Sequence, residues 1–252
     1  SAFAANDATG KNRQMTTILI LGSGPNVTAA RAWPKDRFDA IVAINNAHLV
    51  RPDWDVMIHP FDFPADRMPG RVNADQRIVT EAEFVPAQNA YGGFVYAGAT
   101  MAFTAGYWAL HHYRPRVIAY FGCDMTYATT GRTHFYGTGA PDPLRPDITL
   151  QSLEAKSARL MVLAARQGTA VVNLSFARSR LIFPQATVAD LARGIGPSPF
   201  KACAAGTALR REASLGYAVP SGRYWEEVDR FDPGELRKVD AVWRDAARAP
   251  MQ

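Results

Sequence analysis

The stretch ILILGSGPNVTAARAW, from Ile18 to Trp33, constrains the fold of this chain more than any other. Four apolar residues in a row read as a strand buried on both faces. The small residues Gly22, Ser23, Gly24 and Pro25 then turn the chain into a helical pattern that opens at Asn26. Asparagine is a good helix N-cap, and the amides behind it would point into the loop, where an anion is favoured. The loop is not the usual dinucleotide fingerprint, since Asn26 and Val27 stand where a third glycine would be sought, and it has no lysine of the P-loop type. A phosphate or nucleotide site and a plain strand-to-helix turn both fit it.

Strand-like runs recur after it: Ala40 to Ile44, Asp55 to His59, Arg77 to Thr80, Arg116 to Phe121 and Thr169 to Leu174, beside Thr17 to Leu21 itself. They are short, rich in Ile and Val, and mostly without polar alternation. Between them, Ala97 to Tyr113 carries Met101, Ala105, Trp108 and His112 at helical spacing, and Ser152 to Gln167 lines up Leu153, Leu160 and Leu163. Strands alternating with helices predict a Rossmann-like α/β fold, a mostly parallel sheet flanked by helices with ligands at the carboxyl ends of the strands. Pro184, Gly194, Gly196, Pro197 and Pro199 then punctuate the chain. The expected organisation is therefore a nucleotide-binding domain over residues 15–183 and a helical segment over 184–252 that packs on the site or covers it. Short helices are expected there, the last from Pro233 to Arg248. That helix packs through Leu236, Val239, Val242 and Trp243, or touches an acidic membrane surface through its arginines.

Composition narrows the class. At 252 residues, 48% hydrophobic and 20% charged, the chain is long enough for one large or two small domains with a full core. Its longest apolar runs are strand-sized, far below the roughly 20 residues needed to cross a bilayer. The net charge of +5 is spread thinly until the last fifty or so residues, and the short Arg210, Arg211 pair with scattered arginines lacks the basic clusters and interleaved aromatics of a nucleic-acid binder, so an anionic substrate is compatible with the charge and nucleic acid is not expected. Cys123 and Cys203 lack disulfide-framework or zinc spacing, which points to the cytoplasm. Ser1 to Gln14 is polar and reads as a disordered or appended arm, with Met15 as a natural start.

Three further clusters carry candidate chemistry. Asn45 and Asn46 follow the second strand, where paired amides suit a nucleobase edge or ribose hydroxyls and equally make a turn. Gly122, Cys123, Asp124, Met125, Thr126 and Tyr127 follow the strand that ends at Phe121; Asp124 either caps a loop or holds a ligand hydroxyl. The stretch from Gly131 to Arg145 then sets His134, Tyr136, Asp142 and Arg145 among glycines and prolines, a composition more typical of an active-site wall than of a connector. His134 is the candidate general base, an imidazole being able to accept a proton near neutral pH; a histidine bonded within a rigid loop is the alternative. His59, Asp62 and Asp66 match no metal-ligand spacing, and no metal is assigned. His111 and His112 read as packing or surface residues. Asn26 and Asn173 head N-x-S/T triplets in or beside buried strands, where glycosylation is not expected.

GSGPN after the first strand, the Asn pair after the second, the small-residue helix start near Gly98 and GCD after Phe121 together resemble the bacterial sialyltransferases of glycosyltransferase family 42, in order and spacing, over residues 17 to 182. The same frame is similar to motility-accessory and archaeal pterin-diphosphokinase-like proteins. The resemblance implies a cytidine monophosphate sugar as donor, with Gly22, Ser23, Gly24, Asn45, Gly122 and Asp124 contacting the nucleotide. Pro25, Asn26, Asn46, Gly98 and Tyr127 complete the expected nucleotide-binding set. The chain departs from the family at Ser23, where the family has Asn, and at Ala97, where it has Ser. It also departs at Thr138, which occupies the family's base position in the stretch His134 to Thr138.

The expected activity is thus metal-independent transfer of a sialic-acid-like sugar from a CMP-activated donor to a glycan or other hydroxyl acceptor in surface-glycan synthesis, with no further cofactor. His134, Tyr136 and Asp124 are the expected catalytic residues, and Asn45 with Tyr127 or Tyr136 would steady the departing anion. A metal-dependent diphosphate transferase acting on a small alcohol is the enzyme alternative. A nucleotide- or sugar-binding module that has lost its base is the other.

Overall fold

The structure is a computed structural model that describes residues 17–127, 131–138 and 144–248. The Ser1 to Gln14 arm, Met15 and Asp142 lie outside the described residues. The apolar runs form six parallel strands: β1 (Thr17–Leu21), β2 (Ala40–Ile44), β3 (Val56–Ile58), β4 (Arg77–Val79), β5 (Val117–Phe121) and β6 (Ala170–Asn173). Their order is β4-β3-β2-β1-β5-β6. The chain therefore winds outward from β1 to β4, returns, and builds β5 and β6 on the other side. That reversal makes a topological switch between β1 and β5, the place where an open α/β sheet leaves a crevice at its carboxyl edge.

Both sheet faces are covered, which is why the strands lack polar alternation. Along β1, Ile18 and Ile20 enter one core while Leu19 and Leu21 enter the other. The first core is closed by α1 (Glu81–Asn89), α3 (Met101–Tyr113) and α4 (Leu153–Arg166). The second is closed by a 3₁₀ helix over Pro25–Ala32, by Phe38 and Trp54, and by α5 (Val188–Arg193). The edge strand β4 is partly exposed, and there Arg77 pairs with Glu83. In α3, Gly106 is required by packing: a Cβ there would stand 2.0 Å from the Tyr120 hydroxyl, which donates to the Ala102 carbonyl at 2.8 Å.

Three boundaries differ from the sequence expectation. The helix anticipated from Ala97 is two helices, α2 (Phe94–Ala97) and α3, because Gly98 takes φ +89 between them. Beyond residue 200 the chain makes two helices of 14 residues, α6 (Ala202–Leu215) and α7 (Pro233–Ala246), rather than only short ones. Helix α7 stops at Ala246, short of Arg248, and its N-cap Asp232 accepts from the Gly234 amide at 2.6 Å. Its apolar stripe, Leu236, Val239, Trp243 and Ala246, is buried, and α7 packs against α4 and α6 as the packing alternative requires. Among the described residues no helix is long and apolar enough to cross a membrane.

Candidate functional site

The turn after β1 and the turn after β5 close on each other. The Gly22 amide donates to the Phe121 carbonyl at 2.9 Å and the Gly24 amide to the Gly122 carbonyl at 2.8 Å. A Cβ on Gly22 would lie 2.4 Å from that Gly122 oxygen, and one on Gly122, itself at φ +74, would lie 2.7 Å from the Val27 side chain. These glycines are therefore explained by the approach of two backbones at the switch. The Gly22 and Gly24 amides are consumed by it, so the expected row of open amides behind β1 shrinks to Ser23 and Asn26, which have no protein acceptor among the described residues.

Asn26 is not the N-cap. Gly24 caps the 3₁₀ helix without a side-chain bond, and Asn26 turns its side chain toward the strand ends instead. Its Nδ2 donates to the Ser175 hydroxyl oxygen at 2.9 Å and to Asp124 Oδ2 at 3.3 Å. Asp124, only 8% exposed, also accepts from Asn173 Nδ2 at 2.9 Å on Oδ1 and from the Ser175 hydroxyl at 2.6 Å on Oδ2. The carboxylate thus knots together the turns after β1, β5 and β6, held by neutral donors. Both N-x-S/T asparagines are spent in this knot, which sequence reading missed. The available signal was a polar Asn173 and Ser175 at the carboxyl end of a strand, the same placement that singled out Asn45.

Above the knot lies a cleft of about 580 Å³. Gly22, Ser23, Gly24, Pro25 and Asn26 line it from β1, Asn45 and Asn46 from β2, and Gly122, Asp124 and Tyr127 from β5. His134 and Tyr136 add the wall beyond. Asn45 sits at φ +52 and its buried Oδ1 has no partner among the described residues, whereas Asn46 is buried. Gly98 is the exception: it is not on the lining but buried against the Lys156 stem and Phe103, where a Cβ would meet Lys156 Cγ at 2.9 Å. Thr126, from the cluster after β5, is on the lining as well; sequence reading did not single out Thr100, Arg67 or Arg132, which also lie there. Among the described residues the lining ends at Ala177, so α6 and α7 brace α4 without covering the cleft.

His134 is held by its own loop. Its amide donates to the Gly137 carbonyl at 2.9 Å, and the Phe135 amide donates to the Ser23 carbonyl at 3.0 Å, tying this wall to the β1 turn. The imidazole stacks on Tyr136 with ring centres 5.0 Å apart and leans on Tyr127 at 5.9 Å. Nδ1 lies 2.9 Å from the Thr133 hydroxyl, while Nε2 has no partner among the described residues. Burial lowers the His134 pKa below its ordinary value, so the ring is neutral at pH 7. Thr138 is exposed and donates to the Gly131 carbonyl at 3.1 Å. Cys123 lines the cleft, but burial raises its pKa, and neighbouring Asp124 adds to the rise, which leaves an inert thiol.

His48 is buried, its Nε2 2.9 Å from the Arg67 carbonyl oxygen, and His59 lies by Nδ1 2.8 Å from the Pro60 carbonyl oxygen. His111 meets Tyr91 edge-on and His112 stacks on Trp108, as packing residues do. Among the described residues no three His, Cys, Asp or Glu side chains gather where they would ligate a metal ion. No family model matches the chain, and neither a curated protein nor a solved structure is similar to it.

Proposed function

We propose that this protein transfers a sugar from a CMP-activated donor to a hydroxyl acceptor, with His134 as the general base. The observation that carries the reading is the imidazole itself: neutral, braced at Nδ1, open at Nε2, and set on the wall of a cleft that spans the sheet's switch point. In the base role Nδ1–H donates to Thr133, which leaves the lone pair on Nε2 for the acceptor's proton. As that O–H bond breaks, the acceptor oxygen bonds to the anomeric carbon and the bond from that carbon to the phosphate oxygen breaks, releasing CMP. Asn45, with an unpartnered Oδ1, has an acceptor to offer the nucleotide's amine or hydroxyls. Asp124 is a positioning residue in this reading, because its carboxylate is already held by three side chains.

A binding module without turnover is favoured by one observation, Thr138 at the position where the sialyltransferases that the chain resembles place their base. Thermal unfolding with CMP, CDP, UDP, GDP and ATP, each with and without Mg²⁺, followed by donor hydrolysis with His134→Ala, separates the readings. A ligand that binds only the folded state raises its stability. The transferase reading expects a Mg²⁺-independent shift with CMP and a hundredfold to ten-thousandfold loss of turnover in the variant, with CMP affinity retained, on the order of a lost general base. A shift with ATP that requires Mg²⁺ would turn the assignment to a diphosphate transferase. CMP binding without hydrolysis of any CMP-sugar would leave the binding module.

A further inference from the structure

We infer that Arg67 and Arg132 form a two-armed clamp on the phosphate of the nucleotide that occupies the cleft; the inference rests on the donor reading above and assigns the part of the site that grips charge. Both arginines line the cleft. Arg67 belongs to the loop between β3 and β4, and Arg132 follows β5. Since β3 and β5 lie on opposite sides of β1, the two arms reach the crevice from its two rims.

Their side chains differ from the other arginines nearby. Arg51 is spent on Asp53 and the Ala30 carbonyl, Arg180 on Glu154, and Arg145 on the Ala99 carbonyl and Asp147. Among the described residues, the guanidinium groups of Arg67 and Arg132 have neither a hydrogen bond nor an ion pair. Their backbones, in contrast, are anchored. The Arg67 carbonyl lies 2.9 Å from Nε2 of the buried His48, which sits on the same turn as Asn45 and Asn46. Arg132 directly precedes Thr133 and His134, in the loop that Phe135 ties to the Ser23 carbonyl at 3.0 Å. Each arm thus has a fixed base and an uncommitted fork, and a planar fork of donors matches phosphate oxygens bidentately.

The counter-charges on the lining do not occupy the clamp. Asp124 is satisfied by Asn26, Asn173 and Ser175, and Asp62 is exposed on the Arg67 loop without an ion-pair partner among the described residues. Between the arms, the Ser23 and Asn26 amides add two donors at the β1 turn. Two guanidinium groups therefore supply the positive charge that a lysine supplies in a P-loop. When the glycosyl bond to the phosphate oxygen breaks, the leaving phosphate gains negative charge between them, so the clamp acts on the transition state as well as on binding.

Titration calorimetry with CMP, UMP, AMP and GMP and with the matching nucleosides tests this on wild type, Arg67→Ala, Arg132→Ala and the double variant. Each single substitution is expected to weaken the preferred monophosphate roughly ten- to hundredfold, as loss of a hydrogen bond to a charged group does, while nucleoside affinity stays unchanged. Because both arms grip one group, the double variant loses less than the product of the single losses. Unchanged unfolding midpoints separate these effects from damage to the fold, since both side chains are exposed. Equal weakening of nucleotide and nucleoside overturns the clamp, and so do variants that bind like a wild type that itself prefers the phosphate form; in both cases the nucleotide reading stands. A wild type that binds none of the monophosphates overturns clamp and reading together.

Discussion

Between α4, α6 and α7 this molecule buries charges in pairs, whereas around the cleft at the carboxyl ends of β1, β2, β3 and β5 it leaves polar groups uncommitted. In the first region Glu212 accepts from Arg159 Nε at 2.8 Å and from Trp243 Nε1 at 2.7 Å, and Arg159 also donates to the Tyr107 hydroxyl at 2.9 Å and the Tyr91 carbonyl at 2.5 Å. Lys156 and Asp240 pair beside them at 2.7 Å. Burial opposes charge on Arg159, but Glu212 and Tyr107 outweigh it and raise the pKa. In the second region the guanidinium groups of Arg67 and Arg132, His134 Nε2 and Asn45 Oδ1 have no partner among the described residues. The difference separates polarity that holds helices in register from polarity reserved for a ligand. A depression of about 460 Å³ also borders Arg159 and Glu212, whose charges are already paired with each other.

The sharpest way to break that comparison is Glu212→Ala. It would strand the Arg159 guanidinium, which is 1% exposed, without its counter-ion. A loss of about 3–5 kcal/mol in urea unfolding is expected, as for a buried pair deprived of one partner, with nucleotide affinity of the folded fraction unchanged. Replacing both partners together, Arg159→Met with Glu212→Leu, should recover part of the loss, because no unpaired charge is left buried, while Trp243 Nε1 and the Tyr107 hydroxyl lose their partners. A variant that kept its stability but lost ligand would show that this cluster serves the cleft.

The sheet was legible because two-sided burial leaves its mark in the inner strands, so Ala40 to Ile44 and Val117 to Phe121 read as strands from composition alone. The cleft was legible to the same degree, since polar residues immediately after a parallel strand have few places to go, and Ser23, Asn45 and Tyr127 all reach it. What escaped were partnerships between distant segments. Asn26 reads as a cap from its own neighbours, yet its side chain is claimed by Asp124 and Ser175, 98 and 149 residues away. Gly98 looks like a site glycine and is a packing glycine, because Lys156 crosses it. Arg67 carries no local signature, and Arg132 shares only that of the stretch from Gly131 to Arg145; each is one more exposed arginine until the sheet order brings their loops to one cleft.

A smaller effect probes the boundary between the two kinds of polarity. Asp124 lines the cleft but is held like a buried structural charge. Ser175→Ala removes the 2.6 Å bond to Asp124 Oδ2 and the acceptor of Asn26 Nδ2. It should cost about 1–3 kcal/mol of stability, the range for leaving a buried polar group short of a partner. Equilibrium unfolding measures the loss, and calorimetry should find CMP affinity within a few-fold of wild type. A large loss of affinity without loss of stability would return Asp124 to the ligand-binding set.

The finest test is the acid side of the pH profile. Burial disfavours protonated His134, so the folded protein binds that proton at lower pH than the unfolded chain does. The sign follows for both observables. Below the unfolded-state pKa the unfolded chain holds more protons at this site, so its contribution to stability falls as the pH is lowered. A base is active only when neutral, so kcat/KM should fall on the acid side with a midpoint below the ordinary imidazole value, by about tenfold per pH unit beyond it. The limb should vanish in His134→Ala, whose residual activity would be flat across that range. A midpoint at or above the ordinary value would mean that a carboxylate stabilises the protonated ring. In that case His134 would belong with the paired charges of the helical region rather than with the uncommitted groups of the cleft.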